Sequence, residues 1–480
     1  MSDESNISPP TIDQQRTAFA KAVLEALPYE PNDEQTSLLA ALGVFFLQSE
    51  PMSVFLLNGY AGTGKTSVLG ALVKALSQQG MRFVLMAPTG RAAKVFSSYS
   101  RHQAYTIHRK IYRQNSYLND TFALAENKHS DTFFIVDEAS MIPSKVADST
   151  FGTGNLLDDL VQYVYSGHNC KLMLMGDNAQ LPPVGQVESA ALNAEVLKGY
   201  RLKVYNVTLT QTVRQAAESG ILYNAMKVRQ SMSEESFTAP RLQVKGFSDI
   251  KTTTGEYLIE LISDCYDHDG SEETIVVTRS NKRATIFNLG IRNQILYRED
   301  ELASGDMLLV AKNNYFWTNE CKEIDFLANG DVVMVRKLRG EIEHLYGLRF
   351  ATVTIQLPDY NGLELDVKII LDSLISDTPA LTVAQQERMY NEIMAELTGD
   401  KRTRYNALKQ NPYFNALQVK YAYAVTCHKA QGGQWRNVFI DMGGIPPEAF
   451  TTIEFFRWFY TALTRASQTV YLVNSTLGEE

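Results

Sequence analysis

The octapeptide Gly59-Tyr60-Ala61-Gly62-Thr63-Gly64-Lys65-Thr66 fits the spacing G-x-x-x-x-G-K-[ST] at every fixed position, and few short patterns restrict a fold so tightly. Glycines let successive backbone N–H groups wrap a polyphosphate, the lysine neutralises its outer charges, and the terminal hydroxyl is offered to a magnesium ion. Such a loop needs a buried strand entering it and a helix leaving it. Ser53 to Asn58 reads as that strand and Ser67 to Val73 as that helix. The pattern therefore predicts a nucleoside triphosphate with Mg2+, cradled by Gly59, Ala61, Gly62, Thr63, Gly64, Lys65, Thr66 and Ser67.

At 480 residues the chain is long for a single core, so two or more domains are expected. Its four cysteines (Cys170, Cys265, Cys321, Cys427) are scattered without a C-x-x-C pair, which argues against a disulfide framework or a zinc site. The acidic, polar start is unlike a signal peptide, and the longest apolar run, Leu38 to Leu47, is too short to span a bilayer. The expectation is a cytoplasmic protein without a membrane partner. A net charge of −9 by itself disfavours nucleic acid, yet from Lys65 to Asn119 there is no acidic residue and there are nine basic ones. Such a stretch suits a surface that receives phosphates beyond those of the nucleotide.

Continuous apolar runs alternate with helical segments along the chain. Phe83–Ala87, Phe133–Val136 and Lys171–Met175 read as strands covered on both faces. A second series is expected from Val204–Leu209, Glu273–Thr278, Leu417–Thr426, Asn437–Ile440 and Val470–Val473. The predicted fold is α/β, with two doubly wound parallel-sheet lobes in tandem. Expected divisions are a partly helical N-terminal extension over 1–30, a first lobe over 31–205 and a second over 206–480. Around 110–131, two short runs flank the turn-prone Asn119-Asp120 and predict a β-hairpin. Around 331–414, three β-rich runs predict a small barrel-like insertion, followed by a helix capped by Thr382 with Gln385.

A phosphate loop also needs a carboxylate for the metal and a group to activate water. Asp137 and Glu138, at the end of a predicted strand, are placed for these tasks. Gln180, after the next strand, can hydrogen-bond a γ-phosphate. Around these residues lie Asn32–Gln35, Ala87–Ala93, Thr106–His108, Asp137–Ser140, Gly176–Gly185, Leu209–Gln215, Val425–Gly432 and Tyr460–Ala466. In this order they resemble the motifs of superfamily 1 helicases, over nearly the whole chain. Only 48 positions separate Thr89 from Asp137, too few for the helical insertion of the 3′→5′ branch. The hairpin and barrel are similar to the 5′→3′ branch, superfamily 1B, that contains RecD and Dda.

That resemblance implies RecA-like lobes, an SH3-like barrel, and an ATP hydrolase that separates duplex strands while moving 5′→3′ on single-stranded DNA in repair, recombination or replication. It implies adenine recognition by Gln35, nucleotide contacts from Gly432, and catalysis by Lys65, Glu138, Gln180 and two second-lobe arginines, Arg214 and Arg465. Thr66 and Asp137 would hold the metal. Thr89, Arg91, His108, Thr426 and His428 match positions that contact DNA, and the hairpin is a candidate wedge. Partners would be single-stranded DNA and duplex junctions, for a monomer acting alone or with repair or replication proteins. The rivals are the motor subunit of a helicase–nuclease (a RecD-like exodeoxyribonuclease V alpha subunit) and an ATP-switched DNA-binding protein without unwinding. One departure is Thr426-Cys427-His428, where a branched aliphatic is usual at the middle position; Cys427 reads as a buried small residue.

Overall fold

The computed structural model describes residues 11–48, 50–116, 119–144, 151–212, 218–319, 321, 323–324 and 326–478. In chain order the first strands are β1 (Ser53–Gly59), β2 (Arg82–Ala87), β3 (Ala104–Thr106), β4 (Tyr112–Ser116), β5 (Asn119–Leu124), β6 (Thr132–Val136), β7 (Lys171–Gly176) and β8 (Lys203–Leu209). Six of them form an all-parallel sheet in the order β3-β2-β6-β7-β1-β8. Strand side chains alternate between faces, and both faces are filled. Phe55 and Leu57 enter one core with Phe45 and Leu72, while Val54 and Leu56 enter the opposite one with Leu160 and Leu172.

A second all-parallel sheet follows the order β16-β10-β17-β18-β9, from β9 (Ile250–Thr253), β10 (Thr274–Thr278), β16 (Ala424–Thr426), β17 (Trp435–Asp441) and β18 (Ala466–Val473). Between β10 and β16 the chain closes a barrel from β11 (Met307–Val310), β12 (Val332–Leu345), β13 (Leu348–Leu357), β14 (Leu363–Ile370) and β15 (Leu417–Tyr421). The β12–β13 turn, Tyr346-Gly347, has φ of 53° and 69°, as a two-residue hairpin of matching twist requires.

Four expectations about organisation are corrected. The run Val204–Leu209 does not open the second lobe: β8 pairs with β1 along its whole length, beside the phosphate loop. Leu417–Thr426 is not one strand, because β15 closes the barrel and β16 joins the second sheet. The barrel also recruits strands outside 331–414, since β11 and β15 pair with each other as Leu308 with Tyr421. The helix Ile12–Ala26, expected in an N-terminal extension, buries Phe19 and Val23 in the first-lobe core, with Phe19 stacked 5.6 Å from Phe46.

β4 and β5 form the expected antiparallel hairpin, pairing Tyr112 with Leu124; its tip, with Tyr117, lies outside the described residues. The base is anchored where the Tyr112 hydroxyl donates to buried Asp159 over 2.6 Å. The loop entering the barrel packs on the same base, with Phe122 4.6 Å from Tyr315 and Phe151 5.6 Å from Phe326.

The barrel is fixed to the second lobe by a buried charge cluster. Fully buried Asp306 accepts from Arg292 Nε (3.0 Å), Arg298 Nη1 (2.6 Å), the Tyr423 hydroxyl (3.0 Å) and the Ala303 N–H (2.8 Å). Removing the acid leaves the buried Arg292 guanidinium uncompensated. Asp306→Ala is expected to destabilise the second lobe by about 3–5 kcal/mol, measured as a lower midpoint of thermal or urea unfolding.

Candidate functional site

The phosphate loop leaves the carboxyl end of β1, and Gly62 and Gly64 take φ of 76° and 79° there, values at which any other residue is strained. Lys65 opens the helix Lys65–Gln78 and reaches back over the loop to the carbonyls of Gly59 and Tyr60, the latter at 2.9 Å. A Cβ on Gly59 would stand 2.6 Å from the Lys65 side chain, so glycine is needed for this close approach. Thr63 is wholly buried, its hydroxyl donating to Tyr60 O over 2.8 Å. Gln35 donates to Thr63 O over 2.9 Å and accepts from the Asn32 N–H over 3.2 Å. Its amide braces the loop, whereas an adenine reader needs that amide turned to the base.

Asp137 and Glu138 follow β6 on the same sheet edge. The two Asp137 oxygens accept from the Tyr99 hydroxyl (2.6 Å) and the Glu138 N–H (2.8 Å). Glu138 has φ of 52°, a strained backbone that commonly marks a functional position. Burial raises the proton affinity of both carboxyls. For Glu138 the Arg465 charge opposes that shift, and the neighbouring Asp137 adds to it. Gln180 is buried, and its Oε1 meets no hydrogen-bond partner within the protein; such an orphan calls for a ligand or water.

These groups line a cleft of about 450 Å³ whose opposite wall belongs to the second lobe. Thr66, Ser67, Glu138 and Gln180 face Ser219, Leu222, Thr464 and Arg465 across it. Arg465 is buried, with its guanidinium bonded to Thr461 O (3.0 Å), Gly433 O (3.2 Å) and the Thr464 hydroxyl (3.2 Å). Its charge acts on Glu138 while its donors stay within its own lobe. Arg214 lies outside the described residues. Gly432, expected at the nucleotide, sits elsewhere: a Cβ there would meet Ala92 at 2.9 Å and Thr89 at 3.3 Å, so this glycine permits lobe-to-lobe packing.

A separate channel of about 760 Å³ runs between the lobes and the barrel. Thr89, Arg91 and His428 line it, together with Lys94, Asn329, Lys429, Gln434 and Trp435. Thr89 caps the helix Gly90–Ser100, accepting from the Ala92 N–H over 3.2 Å. Arg91 lies over the Trp435 ring at 4.0 Å, a cation–π contact joining the two lobes. Burial pushes Lys429 down to about 8, and its ammonium bonds Asn329 of the barrel entry. Thr426 begins a short helix beside the channel without lining it.

His108 is not in the channel. It packs edge-on against Phe151 at 4.8 Å and near Phe326, and burial lowers it to about 4, so the imidazole is neutral at neutral pH. The basic run also divides. Lys65 enters the cleft, Arg91 and Lys94 line the channel, and Lys110 and Arg113 stand at the hairpin base. Of the aromatics near that run, Phe96 is buried in the core and stacks on Tyr99 at 5.2 Å. Cys427 is buried, and its thiol is pushed up to about 12.

Sequence reasoning assigned no individual site role to Tyr99, Lys94, Lys429, Gln434, Trp435 or Tyr460. Gln434 stands beside the Val425–Gly432 motif and lines both cleft and channel. The others sit on helices or, for Trp435, on β17, and their facing partners are remote in sequence.

Cleft and channel are thus two distinct concavities, one built around the phosphate loop and one between the lobes and the barrel. A family profile described as an AAA domain matches residues 31–243, and one described as a UvrD-like helicase C-terminal domain matches residues 421–473. These two matches, in this order along the chain, support a superfamily 1B helicase. It is similar to the ATP-dependent RecD2 DNA helicase of Deinococcus radiodurans, 24% identical over 92% of this chain and 49% of that one. The ATP-dependent DNA helicase dda of Enterobacteria phage T4 is 27% identical over 53% of this chain and 55% of its own. The aligned regions thus span about half of each of these two relatives. A solved Pif1 helicase from Bacteroides, in complex with ADP-AlF3 and single-stranded DNA, aligns over 93% of both chains at 16% identity with a TM-score of 0.46. No helix among the described residues is long and apolar enough to cross a membrane.

Between the channel-lining residues Gly330 and Val332 lies a buried group whose charge opposes folding. Asp331 is 2% exposed, accepts from the Ala328 N–H over 2.8 Å, and lies beside Asp359; burial raises it from 3.8 to about 7. The folded state therefore binds a proton between pH 4 and 7 that the unfolded chain releases, and this group's contribution to stability falls as pH rises through that window. Asp331→Asn retains the acceptor without the charge. It should stabilise the protein by about 1–3 kcal/mol at pH 8 and by less at pH 5, read from thermal midpoints at both.

Proposed function

We propose that the chain is an ATP-dependent DNA helicase that moves 5′→3′ along single-stranded DNA and separates duplex strands ahead of it. One observation carries this reading: Lys65 and Glu138 of one lobe and Arg465 of the other line a single cleft, next to a distinct channel bounded by both lobes. Work requires that chemistry in the cleft change the spacing of the lobes, and a shared catalytic site has that property.

The donor set fits a magnesium–nucleotide complex. Gly62 and Gly64 hold the loop open at positive φ, Thr66 and Asp137 offer a hydroxyl and a carboxylate at one end, and Gln180 has an unpartnered buried oxygen. Bound Mg2+ supplies charge neutralisation at the phosphates. Lys65 leaves its carbonyl contacts to bind phosphate oxygens, and Glu138, made more basic by burial, takes the proton of the attacking water. Arg465 approaches the γ-phosphate as the lobes close. Thr89, Arg91, Lys94, His428 and Lys429 then grip the DNA backbone, which fixes position without reading sequence. The hairpin, held at its base by Asp159 and the aromatics of the β11–β12 connection, would split the duplex.

Unwinding should proceed on duplexes with a 5′ single-stranded tail and fail on matched duplexes with a 3′ tail; the reverse result overturns the polarity. ATPase activity that single-stranded DNA does not stimulate would favour a nucleotide-switched binding protein instead. Arg465→Ala should lower stimulated turnover by about 10³-fold while ATP-analogue affinity changes by less than tenfold. Full turnover in this variant would overturn the cross-cleft role.

A further inference from the structure

The helix Ile453–Leu463 of the second lobe sends one side chain deep into the first. Tyr460 is 1% exposed, and its hydroxyl accepts the Ala61 N–H of the phosphate loop over 2.8 Å and donates to Asp177 Oδ2 over 2.6 Å. The hydroxyl is thereby committed as both donor and acceptor. Asp177, also 1% exposed, holds the Ala179 N–H over 3.0 Å with its other oxygen, shaping the turn that carries Gln180. The next residue is gripped from the same side: Leu181 N–H donates to the Thr461 hydroxyl over 2.9 Å, and Leu181 O accepts from Gln431 over 2.7 Å. One second-lobe residue thus touches the loop under the phosphates and the segment that carries Gln180.

Resting on the helicase reading above, we propose that Tyr460 is a positioning residue whose hydroxyl couples nucleotide binding in the cleft to single-stranded DNA binding in the channel. Both groups it satisfies are buried at the seam. When the lobes part, water reaches the Ala61 N–H and Asp177 Oδ2; when they meet, this hydroxyl satisfies both. The contact therefore favours the closed arrangement, in which the second-lobe channel residues approach Thr89 and Arg91. Its action is separate from that of Arg465, which makes its hydrogen bonds within its own lobe.

Tyr460→Phe removes one oxygen and preserves the ring. The readout is the ratio of dissociation constants for a labelled oligothymidylate measured without and with a non-hydrolysable ATP analogue. This coupling ratio is expected to fall toward one by about 10- to 100-fold in the variant. Asp177→Asn, which keeps the shape but weakens the acceptor, should lower the ratio by a smaller factor, and the double variant should resemble Tyr460→Phe because both act through one contact. A wild-type ratio retained in Tyr460→Phe, or additive effects in the double variant, overturns the inference alone. Were Tyr460→Phe not to fold, a wild-type ratio in Asp177→Asn would overturn it. Absence of coupling in the unsubstituted protein would overturn the helicase reading and this inference with it.

Discussion

Closure of the two lobes on each other is the contact through which nucleotide chemistry can become movement. The seam is polar, specific and largely buried. Tyr460 bridges Ala61 and Asp177, Thr461 and Gln431 hold both backbone groups of Leu181, and Arg91 lies on Trp435. Buried polar groups are costly without partners. A seam of this kind therefore favours one closed geometry over slightly displaced ones. An apolar seam of equal area would let the lobes slide.

A second connection runs within the first lobe. The helix Gly90–Ser100 begins at the channel with Thr89 and Arg91 and ends at the cleft, where Tyr99 donates to Asp137. Ten residues of helix place these ends about 15 Å apart on one rigid element. The barrel meets the same helix at its start: Lys94 pairs with Asp359 at 2.9 Å, and a Cβ on Gly90 would come within 2.7 Å of Asp331. One helix thus touches the channel, the barrel and the Asp137 carboxylate.

Local features were legible because local physics decides them. The strand, the loop with its two positive-φ glycines and the following helix are specified within 30 residues, as is the capping box at Thr382 and Gln385. The apolar runs of β1, β6 and β7 declared strands covered on both faces. Less legible was which sheet a strand joins. β8 has the same apolar character as a second-lobe strand, and its pairing with β1 depends on contacts about 150 residues apart. Leu417 to Thr426 reads as continuous because both halves are apolar, but β15 pairs within the barrel and β16 with β10.

By itself the sequence determined the chemistry: which residues form a phosphate cradle, which carboxylates stand at strand ends, and which family their order resembles. The tertiary structure decided what each side chain is used for. Gln35 was expected at adenine and holds the loop; Gly432 was expected at the nucleotide and packs on Thr89; His108 was expected on DNA and lies among aromatic rings. Tyr460, quoted in the last motif without a role of its own, spans both lobes. Residue type fixes which bonds a side chain can make, but the partner is set by elements folded from distant parts of the chain, and pattern along one strand or helix carries no record of them.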